Sequence, residues 1–179
     1  MIGVLVSGNG SNLQALIDAG LPITAVAANR KDAYALIRAR EAGIPAATFG
    51  LDCHASREER DLMMATWLEE HEVELIVLAG YMHLLTPPFL RRFPDRIVNV
   101  HPSLLPAFPG AHAIADAIAA GVETTGVTVH LVDEGLDTGP VIRQEAVPVE
   151  PRETLEERIH AVEHRLLPQV VEERLCLAR

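Results

Sequence analysis

The chain has 179 residues, 49% hydrophobic and 22% charged, a profile that suits one globular domain with a buried core and excludes a disordered chain. Lys and Arg number 15 against 25 Asp and Glu, a formal net charge of -10 at pH 7. The overall field therefore repels polyanions and argues against a dedicated nucleic-acid binder.

Ile2–Val6 is a short apolar run that reads as a strand, ends in Ser7-Gly-Asn-Gly-Ser-Asn12, and meets Leu13, Leu16 and Ile17 at helical spacing. The alternation continues with a strand over Ile23–Ala28, a helix over Ala33–Ala42 stopped by Gly43, and a short strand over Ala46–Phe49. Ser56 caps a charged helix over Arg57–His71, and Leu75–Ala79 reads as a central strand buried on both sides. Pro87-Pro88 opens a short helical piece, Ile97–His101 is a strand cut off by Pro102, and the segment to Gly110 is an irregular loop. A helix over Ala113–Ala120, strands over Thr125–Val132 and Val141–Val147, and a long helix from after Thr154 to near Leu175 complete the chain. This alternation predicts an α/β fold in one domain over 1–179: a mostly parallel, twisted sheet with helices on both faces and a Rossmann-like N-terminal half.

Cys53 and Cys176 lack the paired spacing of a zinc site or disulfide framework, which points to a reducing, cytoplasmic setting. Met1 runs straight into an apolar segment with no basic stretch or cleavage site, so no signal peptide is expected. The longest apolar run, Leu75–Met82, is too short to span a bilayer. Lys31 is the sole lysine; arginine suits local capture of phosphate or carboxylate, and a coding bias explains the same usage.

Ligands of open parallel sheets bind outside the carboxyl ends of the strands, which places Ser7–Asn12, Gly80-Tyr-Met82, Asn99 and His101 together. The glycine loop lacks the Gly-Lys-Ser/Thr of a P-loop, and Leu13 stands where a dinucleotide fingerprint needs its third glycine. Gly10, Ser11 and Asn12 suit one phosphate at a helix N-terminus; a plain Asn-Gly turn with Ser11 as N-cap is the equal alternative. Asn99 and His101 lie two apart on a strand, on one face, where an amide and an imidazole can stabilise an oxyanion and move a proton. The loop Asp133-Glu-Gly-Leu-Asp-Thr-Gly139 can return Asp137 over them, though each residue alone also fits a purely structural role. His130 in its alternating strand reads equally as buried and hydrogen-bonded or as active. His160, Glu163 and His164 do not form the His-Glu-x-x-His of a zinc protease, and Ser103 lacks a nucleophile elbow.

Asn99-Val-His101-Pro-Ser-Leu-Leu-Pro106, Phe108-Pro-Gly110, Gly126-Val-Thr-Val-His130 and Leu136-Asp-Thr-Gly-Pro140 together resemble the folate-dependent formyltransferases. Ser7-Gly-Asn-Gly-Ser-Asn12-Leu-Gln and Leu78-Ala-Gly-Tyr-Met82 narrow the resemblance to the branch that acts on glycinamide ribonucleotide, from the first strand to the last helix. The resemblance implies the formyltransferase fold and transfer of formyl from 10-formyltetrahydrofolate, as co-substrate, to a ribosylglycinamide phosphate in purine biosynthesis, without a metal. It implies catalytic roles for Asn99, His101 and Asp137, the acceptor at Gly10, Ser11, Asn12 and Glu163, and the folate at Arg57, Met82, His83, Leu84, Leu85 and Asn99. It implies small-molecule partners, no nucleic acid and no membrane; a homodimer is compatible with the pattern and not required by it. His83 stands where relatives often carry Arg, and Ala107 where Lys is common. Two other readings stand beside it: a formyltetrahydrofolate deformylase, with water in place of the amine, and a non-catalytic nucleotide-binding module using only the glycine loop.

Overall fold

The computed structural model describes residues 1–177, so the last two residues of the expected 1–179 domain lie outside the described residues. The apolar runs become seven strands and six α-helices: β1 Ile2–Val6, α1 Ser11–Asp18, β2 Ile23–Ala28, α2 Ala35–Glu41, β3 Ala46–Thr48, α3 Arg57–Glu70, β4 Leu75–Leu78, α4 Pro87–Arg92, β5 Ile97–His101, α5 Ala113–Ala120, β6 Thr124–Leu131, β7 Val141–Pro148 and α6 Leu155–Leu177. All the strands join one sheet in the order β3-β2-β1-β4-β5-β6-β7. Pairings among β1 to β5 are parallel, while β6 runs antiparallel to β5 and to β7.

Alternation along β1 shows how the sequence covers both faces of the sheet. Val4 and Val6 pack with Leu13 and Leu16 of α1, Ala35 and Ala39 of α2, and Ile159 and Leu166 of α6. Leu5 points the other way, into a cluster with Met64 and Leu68 of α3, Phe89 of α4 and Phe93 just after it. Helices thus cover both faces, and β1 and β4 are apolar throughout because neither face meets water. Ser56 caps α3 as expected, its Oγ accepting from the Glu59 N–H at 3.1 Å.

The expected elements are all present, with ends shifted by one or two residues. One shift bears on the site: Gly10, not Ser11, is the N-cap of α1, and Ser11 is the first helical residue. Gly10 holds φ +76°, and a Cβ there would lie 2.6 Å from the Ala35 Cβ, so the turn depends on glycine. From the neighbouring strands β1 and β4 the chain departs toward opposite edges of the sheet, and a crevice opens above their carboxyl ends.

Candidate active site

That crevice is a cleft of about 750 Å³, lined by the loops after β1, β4 and β5, by the β6–β7 loop, and by His160 and Glu163 of α6. Its size suits a drug-sized ligand. Ser7 joins two of its walls, since its Oγ accepts the Met82 N–H at 2.9 Å.

At one end lies the glycine loop. Arg38 of α2 clamps it from outside, Nε donating to the Asn9 carbonyl at 2.9 Å and Nη2 to Asn9 Oδ1 at 3.1 Å. The N-terminus of α1 therefore faces the cleft with unpaired backbone N–H groups on a rigid turn, the arrangement that receives an anion. Asn12 Nδ2 donates to Glu163 Oε2 at 3.1 Å, tying α1 to α6. Burial pushes the Glu163 carboxyl above its usual pKa, against the opposing pull of the Asn12 hydrogen bond and of His160. Gly10, Ser11, Asn12 and Glu163 all line this end.

The middle of the cleft is apolar. Met82 and Leu84 are exposed at its rim and Leu85 is buried behind them, with Leu136 on the facing loop. His83 joins this wall, whereas Arg57 is exposed at the first turn of α3 and does not line the cleft.

At the far end, four residues from three segments converge. Asn99 and His101 sit on β5, and the antiparallel register sets His130 of β6 directly opposite Asn99. Asp137 arrives from the β6–β7 loop, with a left-handed backbone of φ +54°. That loop closes tightly: a Cβ on Gly139 would lie 1.9 Å from the Leu131 carbonyl oxygen. Asp133 Oδ1 braces it by accepting the Gly135 N–H at 3.0 Å and the Thr138 hydroxyl at 2.7 Å. Asp137 Oδ2 accepts the Gly110 N–H at 2.8 Å and lies 3.5 Å from His101 Nδ1. Its Oδ1 lies 3.7 Å from His130 Nε2 and 3.4 Å from Asn99 Nδ2.

The tautomers follow from the acceptors. His101 Nε2 faces the Phe108 carbonyl at 2.8 Å and so donates to it, which leaves Nδ1 as the ring nitrogen turned to Asp137 and the reaction space. His130 Nδ1 donates to the Leu131 carbonyl at 2.7 Å, so in the neutral ring Nε2 accepts from Asn99 Nδ2 at 3.1 Å. Burial raises the Asp137 pKa, but a hydrogen bond from His130 when its Nε2 carries a proton, the Gly110 N–H, and the charges that His101 and His130 can carry outweigh it and lower the carboxyl from its usual value. A carboxylate beside an imidazole and an amide donor, in a partly buried cleft end, is equipped to stabilise an oxyanion and relay a proton.

Residues 1–171 match the model of a family described as formyl transferase. The chain belongs to the formyl transferase family. A curated relative, phosphoribosylglycinamide formyltransferase of Mycobacterium tuberculosis, is 48% identical over 176 residues, 94% of this chain and 81% of that protein. Among solved structures, the phosphoribosylglycinamide formyltransferase of Bacillus halodurans superposes with a TM-score of 0.95 at 41% identity, covering 99% of this chain and 96% of that one. The enzyme of the same name from Streptococcus pneumoniae gives 0.93 at 44% identity, covering 97% and 98%.

This formyl transferase places Asn99, His101 and Asp137 together as the strand ends foreshadowed. Sequence reasoning missed Arg38, the Phe108 carbonyl and the place of His160 in the cleft, and left His130 open. Arg38 grips the Asn9 carbonyl and side chain, contacts that no motif announces, and Phe108, though within a quoted motif, acts through its carbonyl. His130 had its signal in the β6 alternation, but choosing the active reading required the β5–β6 register. His160 lines the cleft one helical turn before Glu163, a spacing that would have placed both on one face had α6 been aimed at the cleft.

Proposed function

We propose that this chain is a phosphoribosylglycinamide formyltransferase, which moves the formyl group of 10-formyltetrahydrofolate onto the amine of 5'-phosphoribosylglycinamide in purine biosynthesis. Residues 1–179 act as one catalytic domain, in the cytoplasm. Among the described residues no helix is long and apolar enough to cross a membrane.

The single observation that carries this reading is the two-ended cleft: an anion-ready helix N-terminus with Glu163 at one end, and Asn99, His101 and Asp137 at the other. The acceptor phosphate rests on the N–H groups of Ser11 and Asn12, where the helix dipole favours negative charge. Glu163 holds the ribose or glycinamide end. The flat folate ring lies along the apolar middle, against Met82, Leu84 and Leu85. The acceptor nitrogen attacks the formyl carbon, the carbonyl electron pair moves to oxygen, and Asn99 with protonated His101 stabilises the oxyanion. In the free protein the Asn99 amide hydrogens point at His130 and Asp137, so one turns to the formyl oxygen as the donor binds. The intermediate then collapses: the carbonyl re-forms, the bond to the folate nitrogen breaks, and the proton lost by the amine reaches that nitrogen through Asp137 or a water beside it.

A deformylase has no use for the phosphate end, and a binding module has none for the Asp137 end. Purified protein mixed with 10-formyltetrahydrofolate should release tetrahydrofolate, followed by absorbance, only when ribosylglycinamide phosphate is present. Release at full rate in water alone would make it a deformylase, and no release under either condition would favour the module.

A further inference from the structure

Beneath the apolar wall lies a charged cluster that the formyl-transfer chemistry does not use. Arg60 and Asp61 of α3 are both fully buried, 0% exposed, inside the α3–α4 face. Arg60 Nε donates to Asp61 Oδ1 at 2.8 Å, and Nη2 lies 2.6 Å from the same oxygen. Asp61 Oδ2 accepts the Thr86 N–H at 2.8 Å, where the 80–85 loop enters α4. The remaining guanidinium nitrogen, Nη1, lies 2.6 Å from His83 Nδ1.

Arginine can only donate, so His83 must accept at Nδ1, and a neutral ring then carries its proton on Nε2. Asn29, at the end of β2, lies 3.2 Å from that Nε2 through its amide nitrogen, while its buried amide oxygen has no partner. Turning the amide by half a turn puts the oxygen against Nε2–H and satisfies both groups. Three segments are thereby joined through one imidazole: the loop after β2, the loop after β4, and the buried face of α3.

We propose that His83 is a neutral latch and a positioning residue of the donor side, held by the buried guanidinium of Arg60 so that Met82, Leu84 and Leu85 stand in place before the folate arrives. The donor assignment rests on the formyltransferase reading above; the latch itself rests on the hydrogen bonds. Protonation would set an N–H at Nδ1 against the Nη1–H of Arg60 and drive the ring out. The groups facing His83 are Arg57, Arg60 and Asp61 of α3, Asn29 after β2, and the Tyr81 ring at 5.9 Å on its own loop. Burial, then Arg60 and Arg57, lower its pKa from the ordinary value, with only Asp61 opposing. The latch is therefore closed at neutral pH and opens on the acid side.

His83→Phe keeps the ring shape and removes the acceptor, and should raise the donor KM by about tenfold while the acceptor KM stays within about twofold. His83→Asn offers an amide oxygen where Nδ1 was. It should recover most of that loss and, having no titrating ring, should lack the acid-side rise in donor KM expected of the wild type. An unchanged donor KM in His83→Phe, or the same acid-side rise in His83→Asn, would overturn the latch. Nitrogen-15 spectra of imidazole-labelled wild-type protein read the same point without turnover: at about pH 7 the proposal requires Nε2 protonated and Nδ1 bare. A protonated Nδ1 would overturn it even in an active enzyme. The expected spectrum in a protein that transfers no formyl group would instead fault the functional reading and leave the latch standing.

Discussion

Asp137→Asn is the perturbation that isolates the charge at the reacting end. The amide oxygen of asparagine can keep the Gly110 N–H bond that Asp137 Oδ2 makes at 2.8 Å, so the loop retains its anchor. What disappears is a negative charge 3.5 Å from His101 Nδ1. At an effective dielectric of about 20, unit charges at that separation attract by about 5 kcal/mol, and at about 1.4 kcal/mol per tenfold this sets a ceiling of about 3,000-fold. Residual solvent and the Asn99 donor reduce the effect, so kcat should fall about 100- to 1,000-fold. Both KM values should stay within about threefold, because the carboxylate belongs to the step rather than to ground-state binding. Steady-state folate release with each substrate varied in turn measures this. A kcat within tenfold of wild type, or a loss confined to the acceptor KM, would refute the assignment of Asp137 to proton movement and support of His101.

Ser11→Ala, at the first position of α1, keeps the backbone N–H but removes the hydroxyl that would also donate to the phosphate, and should raise the acceptor KM several-fold with kcat retained, as read from acceptor titrations. Gly10→Ala forces a side chain into a backbone of φ +76° and to 2.6 Å from Ala35, so thermal unfolding should show a loss of about 1–3 kcal/mol together with weaker acceptor binding. Glu163 has a raised folded-state pKa, so its contribution to stability is complete below the unfolded value of about 4.3 and is lost as pH rises through the folded one. Glu163→Gln should therefore raise Tm relative to wild type near pH 8, less so near pH 4, while weakening acceptor binding; equal Tm differences at both pH values would contradict this.

Local pattern carried far in this chain. The apolar runs of β1 and β4, the period-2 alternation of β6 and the Ser56 cap are each written within a few residues, and the carboxyl ends of the strands name the crevice from the sequence alone. Convergence is a different matter. Asn99 and Asp137 meet only because the β6–β7 loop doubles back, with Asp137 in left-handed backbone of φ +54°, uncommon for any residue but glycine. Such conformations are set by the surrounding packing, here the Gly139 approach to Leu131 and the Asp133 brace. Arg60 and Asp61 went unmarked for the opposite reason: they sit in a helix dense with Arg and Glu, and only the packing of α3 on the sheet shows them wholly buried. The neutrality of His83 depends on that burial and is invisible in sequence.

The most direct test of the central claim follows the formyl carbon itself. With 10-formyltetrahydrofolate carrying carbon-13 in the formyl group and ribosylglycinamide phosphate as acceptor, NMR should find the label as an amide on the glycinamide nitrogen, in one-to-one proportion with the tetrahydrofolate released. Label collecting as formate, or label remaining on the folate while the acceptor binds, would contradict the account.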